Sequence, residues 1–223
     1  MLIVWAVMIV FVVYMVRQVR KPSKWTGRWI VSGMNKRHSS LTDWGLSHVQ
    51  IEERFTILDV GCGGGRTASK LAAIAVAGTV EGVDYSEGSI AASRAYNAGL
   101  IAAQRVAIVK ASVSQLPFEE NKFDLVTAVE TQYYWPNLTG DMREILRVLK
   151  PGGKLVVIAE SYKGSRMDFI EGPLMRLLGS SHLGPTDQRQ LFSGCGYTDV
   201  EVSEDRKKGW ICAIGTKPAP AGR

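Results

Sequence analysis

The chain has 223 residues, 46% hydrophobic and 22% charged, which is enough apolar material for one full core and too short for two ordinary domains. That balance excludes a disordered chain, and Cys62, Cys195 and Cys212 are too few and too scattered for a disulfide framework or a CxxC metal clasp. The formal charge of +6 is uneven: Arg17, Arg20, Lys21, Lys24, Arg28, Lys36 and Arg37 meet no acid within the first 42 residues, while the remaining 20 basic and 21 acidic residues leave the body no surplus with which to bind nucleic acid.

Met1 to Val16 is an unbroken run of 16 apolar or aromatic residues. As a helix it spans about 24 Å, against a bilayer hydrocarbon core of about 30 Å. Three readings compete: a membrane anchor, a cleaved signal peptide, and a helix packed on the protein itself. No basic residue precedes the run and no small-x-small cleavage site follows it, which counts against the signal peptide. The Lys/Arg cluster that follows at once favours an anchor whose flank stays at the cytoplasmic face, with the body in the cytoplasm. The predicted organisation is an apolar helix over 1–21, a basic linker and cap over 22–50 containing Trp25, Trp29 and Trp44, one domain over 51–217, and a disordered tail over 218–223. His38, His48 and His182 have no ligand-like spacing, so no metal site is predicted.

From residue 56, β-branched runs alternate with segments of helical period, the mark of βαβ units and a parallel sheet. Strands are predicted near 56–61, 79–84, 106–111, 123–129 and 154–160. Ala68, Leu71, Ala72 and Ala75 fall at helical spacing, as do Met142, Ile145, Leu146 and Leu149. Lys150-Pro151-Gly152-Gly153 ends the second of these helices and begins the next strand. Ile170, Leu174, Leu177 and Leu178 suit a helix roofing the site, and Pro185 to Phe192 suggests another. Runs at 198–202 and 210–216, joined by a charged turn, read as a closing antiparallel pair.

Ile57-Leu58-Asp59-Val60-Gly61-Cys62-Gly63-Gly64-Gly65-Arg66-Thr67 is a buried strand entering a glycine loop and then a helix, where a nucleotide-like ligand can approach the backbone closely. A dinucleotide fingerprint laid on Gly61 and Gly63 meets Arg66 where it needs a third Gly or Ala. A Walker A loop needs Gly-Lys-Ser/Thr, which is absent. What remains, Asp59-x-Gly61-x-Gly63-x-Gly65, resembles motif I of the class I S-adenosylmethionine (SAM)-dependent methyltransferases. Val80 to Ser86, Ala111 to Phe118, Phe123 to Glu130 and Leu149 to Ile158 resemble that family's later segments, in its order.

The resemblance implies a three-layer, Rossmann-like α/β fold: a mostly parallel seven-stranded sheet with an antiparallel C-terminal strand, preceded here by the N-terminal apolar helix. It implies SAM as cofactor, S-adenosylhomocysteine as product, and a small-molecule methyl acceptor. The cofactor-binding residues it implies are Asp59, Gly61, Cys62, Gly63, Asp84, Tyr85, Ser112, Val113 and Glu130, with Asp84 on the ribose hydroxyls. Many relatives carry Asp where Ser112 stands, so a hydroxyl or backbone group must meet the adenine amino group here. Acceptor chemistry is expected at the carboxyl ends of the strands. Glu130 and Tyr133 are the catalytic candidates, and Tyr133, Tyr134, Trp135, Glu160 and Tyr162 the substrate-facing ones, with His38 and His182 behind them. Simple packing is an equal reading for the aromatics, and a general base is needed only where the acceptor must lose a proton. An anchored chain would favour a lipophilic acceptor. A SAM-binding module without catalysis and an NAD(P)-binding oxidoreductase remain open at this point.

Overall fold

The computed structural model describes residues 39–166, 168–177 and 179–219. The apolar run 1–16, the basic arm and His38 lie outside them. In chain order the elements are α1 (Ser39–Leu46), β1 (Thr56–Val60), α2 (Arg66–Ile74), β2 (Thr79–Asp84), α3 (Glu87–Tyr96), α4 (Ala98–Ala102), β3 (Val106–Lys110) and β4 (Phe123–Val129). A 3₁₀ turn (Gln132–Tyr134) leads to α5 (Leu138–Val148), β5 (Leu149–Ala159), α6 (Asp168–Leu177), α7 (Pro185–Gly194), β6 (Thr198–Asp205) and β7 (Trp210–Thr216).

The seven strands lie in the order β3-β2-β1-β4-β5-β7-β6. The first five pair in parallel, and β7 is antiparallel to both β5 and β6. Period-2 alternation sends neighbouring residues to opposite faces. Ile57, Leu125, Val156 and Ile158 pack under Leu41 and Leu46 of α1, Leu71 and Ala72 of α2, and Ile90 of α3. Leu58, Val60, Val126, Leu155 and Val157 face Met142, Ile145 and Val148 of α5 and Phe192 of α7. This is the three-layer arrangement that the sequence implied. The chain leaves β1 toward β2 and later returns to β4 on its other side, so a crevice opens at the carboxyl ends of β1 and β4. All three cysteines are buried with free thiols.

Two details differ from the sequence reading. Strand β5 begins at Leu149, not at 154, because Leu149 already pairs with Phe123 before the register jumps to Lys154 opposite Leu125. The intervening Pro-Gly-Gly loops out, with Gly152 at φ 80° and its N–H donating to Lys217 O at 2.8 Å. Residues 39–46, read as part of a linker and cap, are a helix lying so close to β5 that a Cβ on Gly45 would sit 2.3 Å from the Ile158 side chain. Among the described residues, no helix is long and apolar enough to cross a membrane.

Gly65 joins the glycine turn to α2 at φ 80°, and a Cβ there would lie 2.3 Å from Ser93 Oγ and 2.4 Å from Asn97 Nδ2. That amide side chain is committed, donating to Gly65 O at 2.9 Å and Ser93 O at 3.0 Å. Gly65→Ala should therefore lose about 3 kcal/mol, from left-handed strain and displacement of Asn97. Thermal unfolding should show a midpoint roughly 6–12 °C lower.

Candidate active site

The crevice holds a cavity of about 540 Å³. Its floor is the turn from Gly61 to Gly64, pinned to β2 by Gly61 N and Cys62 N donating to Val83 O at 2.8 and 2.9 Å. Asp84, the last residue of β2, accepts from Gly63 N at 3.0 Å through one carboxylate oxygen and from Ser86 N at 2.8 Å through the other. Gly61 stands at φ 72°, and a Cβ on it would meet Thr131 Oγ1 at 2.2 Å, so the exit from β4 lies directly against the turn. Gly63, at φ 50°, has no atom closer than 4.0 Å to where a Cβ would be, and this is the side on which the cavity opens.

Ser112 and Val113 form another wall. Their segment is clamped by α5: Leu116 N donates to Glu144 Oε1 at 2.9 Å, and Arg147 donates to Leu116 O and Phe118 O at 3.2 and 2.8 Å. The Ser112 hydroxyl accepts from Ser114 N at 3.2 Å. Ser39 and Thr42 of α1 close the near side, where Lys70 donates to Ser39 O at 3.1 Å, Ser39 Oγ at 3.2 Å and the Asp43 carboxylate.

Asp59 is fully buried beneath the turn. Its Oδ1 accepts from Thr127 Oγ1 at 2.9 Å, while Oδ2 has no hydrogen-bond partner among the described residues. Loss of hydration lifts its carboxyl from 3.8 to about 7; the Thr127 bond opposes the rise and the nearby Asp84 charge adds to it. Burial also raises Asp84, against the amide donors of Ser86 and Gly63. Glu130 occupies left-handed backbone at φ 58°, uncommon for a residue with a side chain. Its Oε1 accepts from Glu160 N and lies 3.3 Å from the Tyr133 hydroxyl.

Of the residues named from the sequence, Asp59, Gly61, Cys62, Gly63, Asp84, Tyr85, Ser112, Val113, Glu130, Tyr134 and Trp135 line this one cavity. Tyr133, Glu160, Tyr162 and His182 are not on its wall. Tyr133 is buried with Tyr162, Met175 and Ile211 in a small cluster, and no described residue of α6, the helix expected to roof the site, lines the cavity. Burial and the neighbouring Glu130 charge push its hydroxyl well above the usual range, so it stays a neutral phenol. Tyr162 donates to Glu204 Oε2 at 2.8 Å. Sequence reading missed Ser39, Thr42, Lys70 and Thr131 as wall residues. Lys70 was legible only as lying off the apolar stripe of its helix, and nothing in the sequence joins Thr131 to Gly61. Among the described residues, no group of three His, Cys, Asp or Glu side chains could hold a metal ion.

A protein-family model described as a methyltransferase domain matches residues 58–157. The chain is 32% identical over 190 residues to the demethylmenaquinone methyltransferase of Oceanobacillus iheyensis, covering 75% of this chain and 79% of that protein. The chain belongs to the class I SAM-dependent methyltransferases. A second relative, the sterol 4-C-methyltransferase strm-1 of Caenorhabditis elegans, is 32% identical over 136 residues, or 61% of this chain and 39% of its own. The chain spans less than half the length of the sterol methyltransferases it matches. Its fold matches a chain of the solved complex between the Haloferax volcanii Trm112 methyltransferase activator and a methyltransferase, with a TM-score of 0.75. The two are 21% identical, and the match covers 87% of this chain and 96% of that one.

The family's cofactor is SAM, and the cavity suits it. Gly63 leaves an open face where a ligand can touch backbone, and the unmatched oxygen of Asp59 calls for a donor or a positive charge, both of which SAM carries on its sulfonium and ammonium groups.

The raised Asp59 makes a linked prediction. Between about pH 4 and 7 the folded chain holds a proton that the unfolded chain has lost, so stability falls as pH rises through that window and the loss is complete above 7. Asp59→Asn removes this penalty, which is on the order of 4 kcal/mol. Its melting temperature should exceed that of the unaltered chain at pH 8 and approach it at pH 4. A lower melting temperature at pH 8 would contradict the assignment.

Proposed function

We propose that this chain transfers the methyl group of SAM to a small, lipophilic, membrane-partitioning acceptor. The observation that carries the reading is the buried, half-satisfied Asp59 carboxylate beneath an open glycine turn. In this reading Asp84 accepts from the ribose hydroxyls, Ser112 and Val113 flank the base, and Asp59 faces the cationic end of the cofactor. Gly61, Cys62, Gly63 and Tyr85 shape the cradle. When bound, SAM supplies an electrophilic methyl group on a sulfonium. The chain's own task is then alignment and exclusion of water, and proximity alone is worth about 7–11 kcal/mol of such a barrier.

Several observations support a lipophilic acceptor. Val129, Tyr134, Trp135 and Pro136 give the cavity an apolar wall beside Glu130, and the Trp135 indole N–H has no partner among the described residues. Two relatives are named for a sterol and for demethylmenaquinone. Residues 1–38, with their apolar run and seven cations, lead directly into Ser39 on the cavity wall. Anchoring by residues 1–16 would therefore hold the opening near the bilayer surface, with the body on its cytoplasmic side. Glu130 orients a cationic acceptor, or takes a proton from one that must lose it. Tyr133 supports Glu130 from behind and does not itself exchange a proton. Glu160 contributes its backbone N–H to Glu130, and Tyr162 packs beside Tyr133.

Calorimetric titration tests the cofactor: SAM and S-adenosylhomocysteine should bind and NADH should not, and tighter binding of NADH would end the proposal. Ser112→Asp restores a charged acceptor, and should strengthen SAM binding about 5–10-fold. A prenylated naphthohydroquinone in anionic vesicles, with methyl-labelled SAM, tests the acceptor class. Label should enter the lipid phase faster than it enters a tail-less, water-soluble naphthohydroquinone; equal or better use of the soluble compound would refute the lipophilic reading.

A further inference from the structure

Outside the cavity wall, three segments bring together side chains that the methyl-transfer reading leaves without a role. Ser161 follows β5, Asp168 opens α6, and His182 lies just before α7. His182 Nε2 is 3.1 Å from Ser161 Oγ, and His182 Nδ1 is 3.5 Å from Asp168 Oδ1. The imidazole is 7% exposed, so both ring nitrogens work inside the protein. A serine, a histidine and an aspartate in this order invite comparison with a hydrolytic triad. The surroundings do not support one. Ser161 is not on the cavity wall, and its backbone N–H, the amide nearest any oxyanion formed there, already donates to the Tyr133 hydroxyl at 3.0 Å.

That same amide bond shows where the arrangement leads. Ser161 meets Tyr133 twice, through its N–H and through its carbonyl oxygen, which lies 3.0 Å from the Tyr133 hydroxyl. The hydroxyl is also 3.3 Å from Glu130 Oε1. The peptide N–H of Glu160, one residue before Ser161, donates to the same oxygen. The backbone of Tyr133 is tied to the segment between α6 and α7 as well, since Ser181 N donates to its carbonyl at 3.0 Å. One continuous path therefore runs Asp168, His182, Ser161, Tyr133, Glu130, from the first residue of α6 to a residue on the cavity wall. It ends on a residue held in left-handed backbone, a conformation that persists only where its surroundings over-determine it.

We propose that His182, backed by Asp168, is a positioning residue for Glu130: it fixes Ser161, whose backbone holds the Tyr133 hydroxyl against the Glu130 carboxylate. This rests on the reading that Glu130 faces the acceptor. The consequence is that catalysis depends on a group outside the cavity.

The test uses the full chain labelled with [¹³Cδ]glutamate, the Glu130 resonance being assigned with E130Q. His182→Ala should move that resonance in the same direction as Tyr133→Phe does. Phe169→Ser, on the exposed side of α6, should leave it in place, and His182→Gln, which can still reach Ser161 Oγ, should largely restore it. With the prenylated naphthohydroquinone as acceptor, His182→Ala should lower kcat about tenfold with the SAM dissociation constant unchanged. In an E130Q background it should have almost no further effect. An unmoved resonance in His182→Ala overturns the proposal whatever the methylation assay gives, as does full additivity with E130Q. If the resonance moves as expected but E130Q turns over at the unaltered rate, the acceptor-facing role of Glu130 fails and with it the catalytic half of this proposal. The cofactor assignment would then stand on the calorimetry.

Discussion

The carboxylate of Asp84 sets the register of the whole site. One oxygen holds the glycine turn through Gly63, and the other holds the start of α3 through Ser86, so two loops that belong to different βαβ units are fastened to the end of one strand. Charge-assisted bonds to backbone N–H groups are among the stronger ones available to a folded chain. Here they fix the turn in the conformation that leaves Gly63 open to the cavity. The close approach of Thr131 to Gly61 then follows, because the exit from β4 can lie against the turn only where no side chain intervenes.

The same carboxylates work against the fold. Asp59, Asp84 and Glu130 gather around one crevice, burial strips Asp59 and Asp84 of water, and Asp59 in particular has one oxygen without a donor. A buried acid with an unmatched oxygen destabilises the isolated chain and becomes favourable once a donor or a cation arrives. A ligand that brings that donor or cation therefore offsets the cost of the buried oxygen as it binds.

The central α/β framework was legible in the sequence because its signals are local. Strands β2 and β4 fall where their β-branched runs end, and the helices α2 and α5 follow the spacing of Ala68, Leu71 and Ala72 and of Met142 and Ile145. Glycine loop, acid at 84 and the 111–118 segment all reach one cavity for the same reason: each sits at a strand end. What the sequence could not disclose depends on contacts between distant segments. Tyr133 and Trp135 are two residues apart, yet one is enclosed among Tyr162, Met175 and Ile211 and the other lines the cavity, because the 3₁₀ turn at 132–134 breaks the alternation of the strand before it. The helix at 39–46 left no clear trace either; its stability comes from Leu41, Leu46 and the narrow Gly45 contact with Ile158, not from its own composition.

The three sulfhydryl groups have a use of their own. Cys62 lies under the glycine turn against Ser93, Cys195 at the end of α7, and Cys212 in β7 beneath α1. Burial pushes all three upward, Cys212 to about 12, so each stays protonated and shielded from reagents while the fold is closed. Because they sit in three different parts of the fold, a turn, a helix end and a strand, the order in which an alkylating agent reaches them would time which portion of the molecule opens first, with no introduced label.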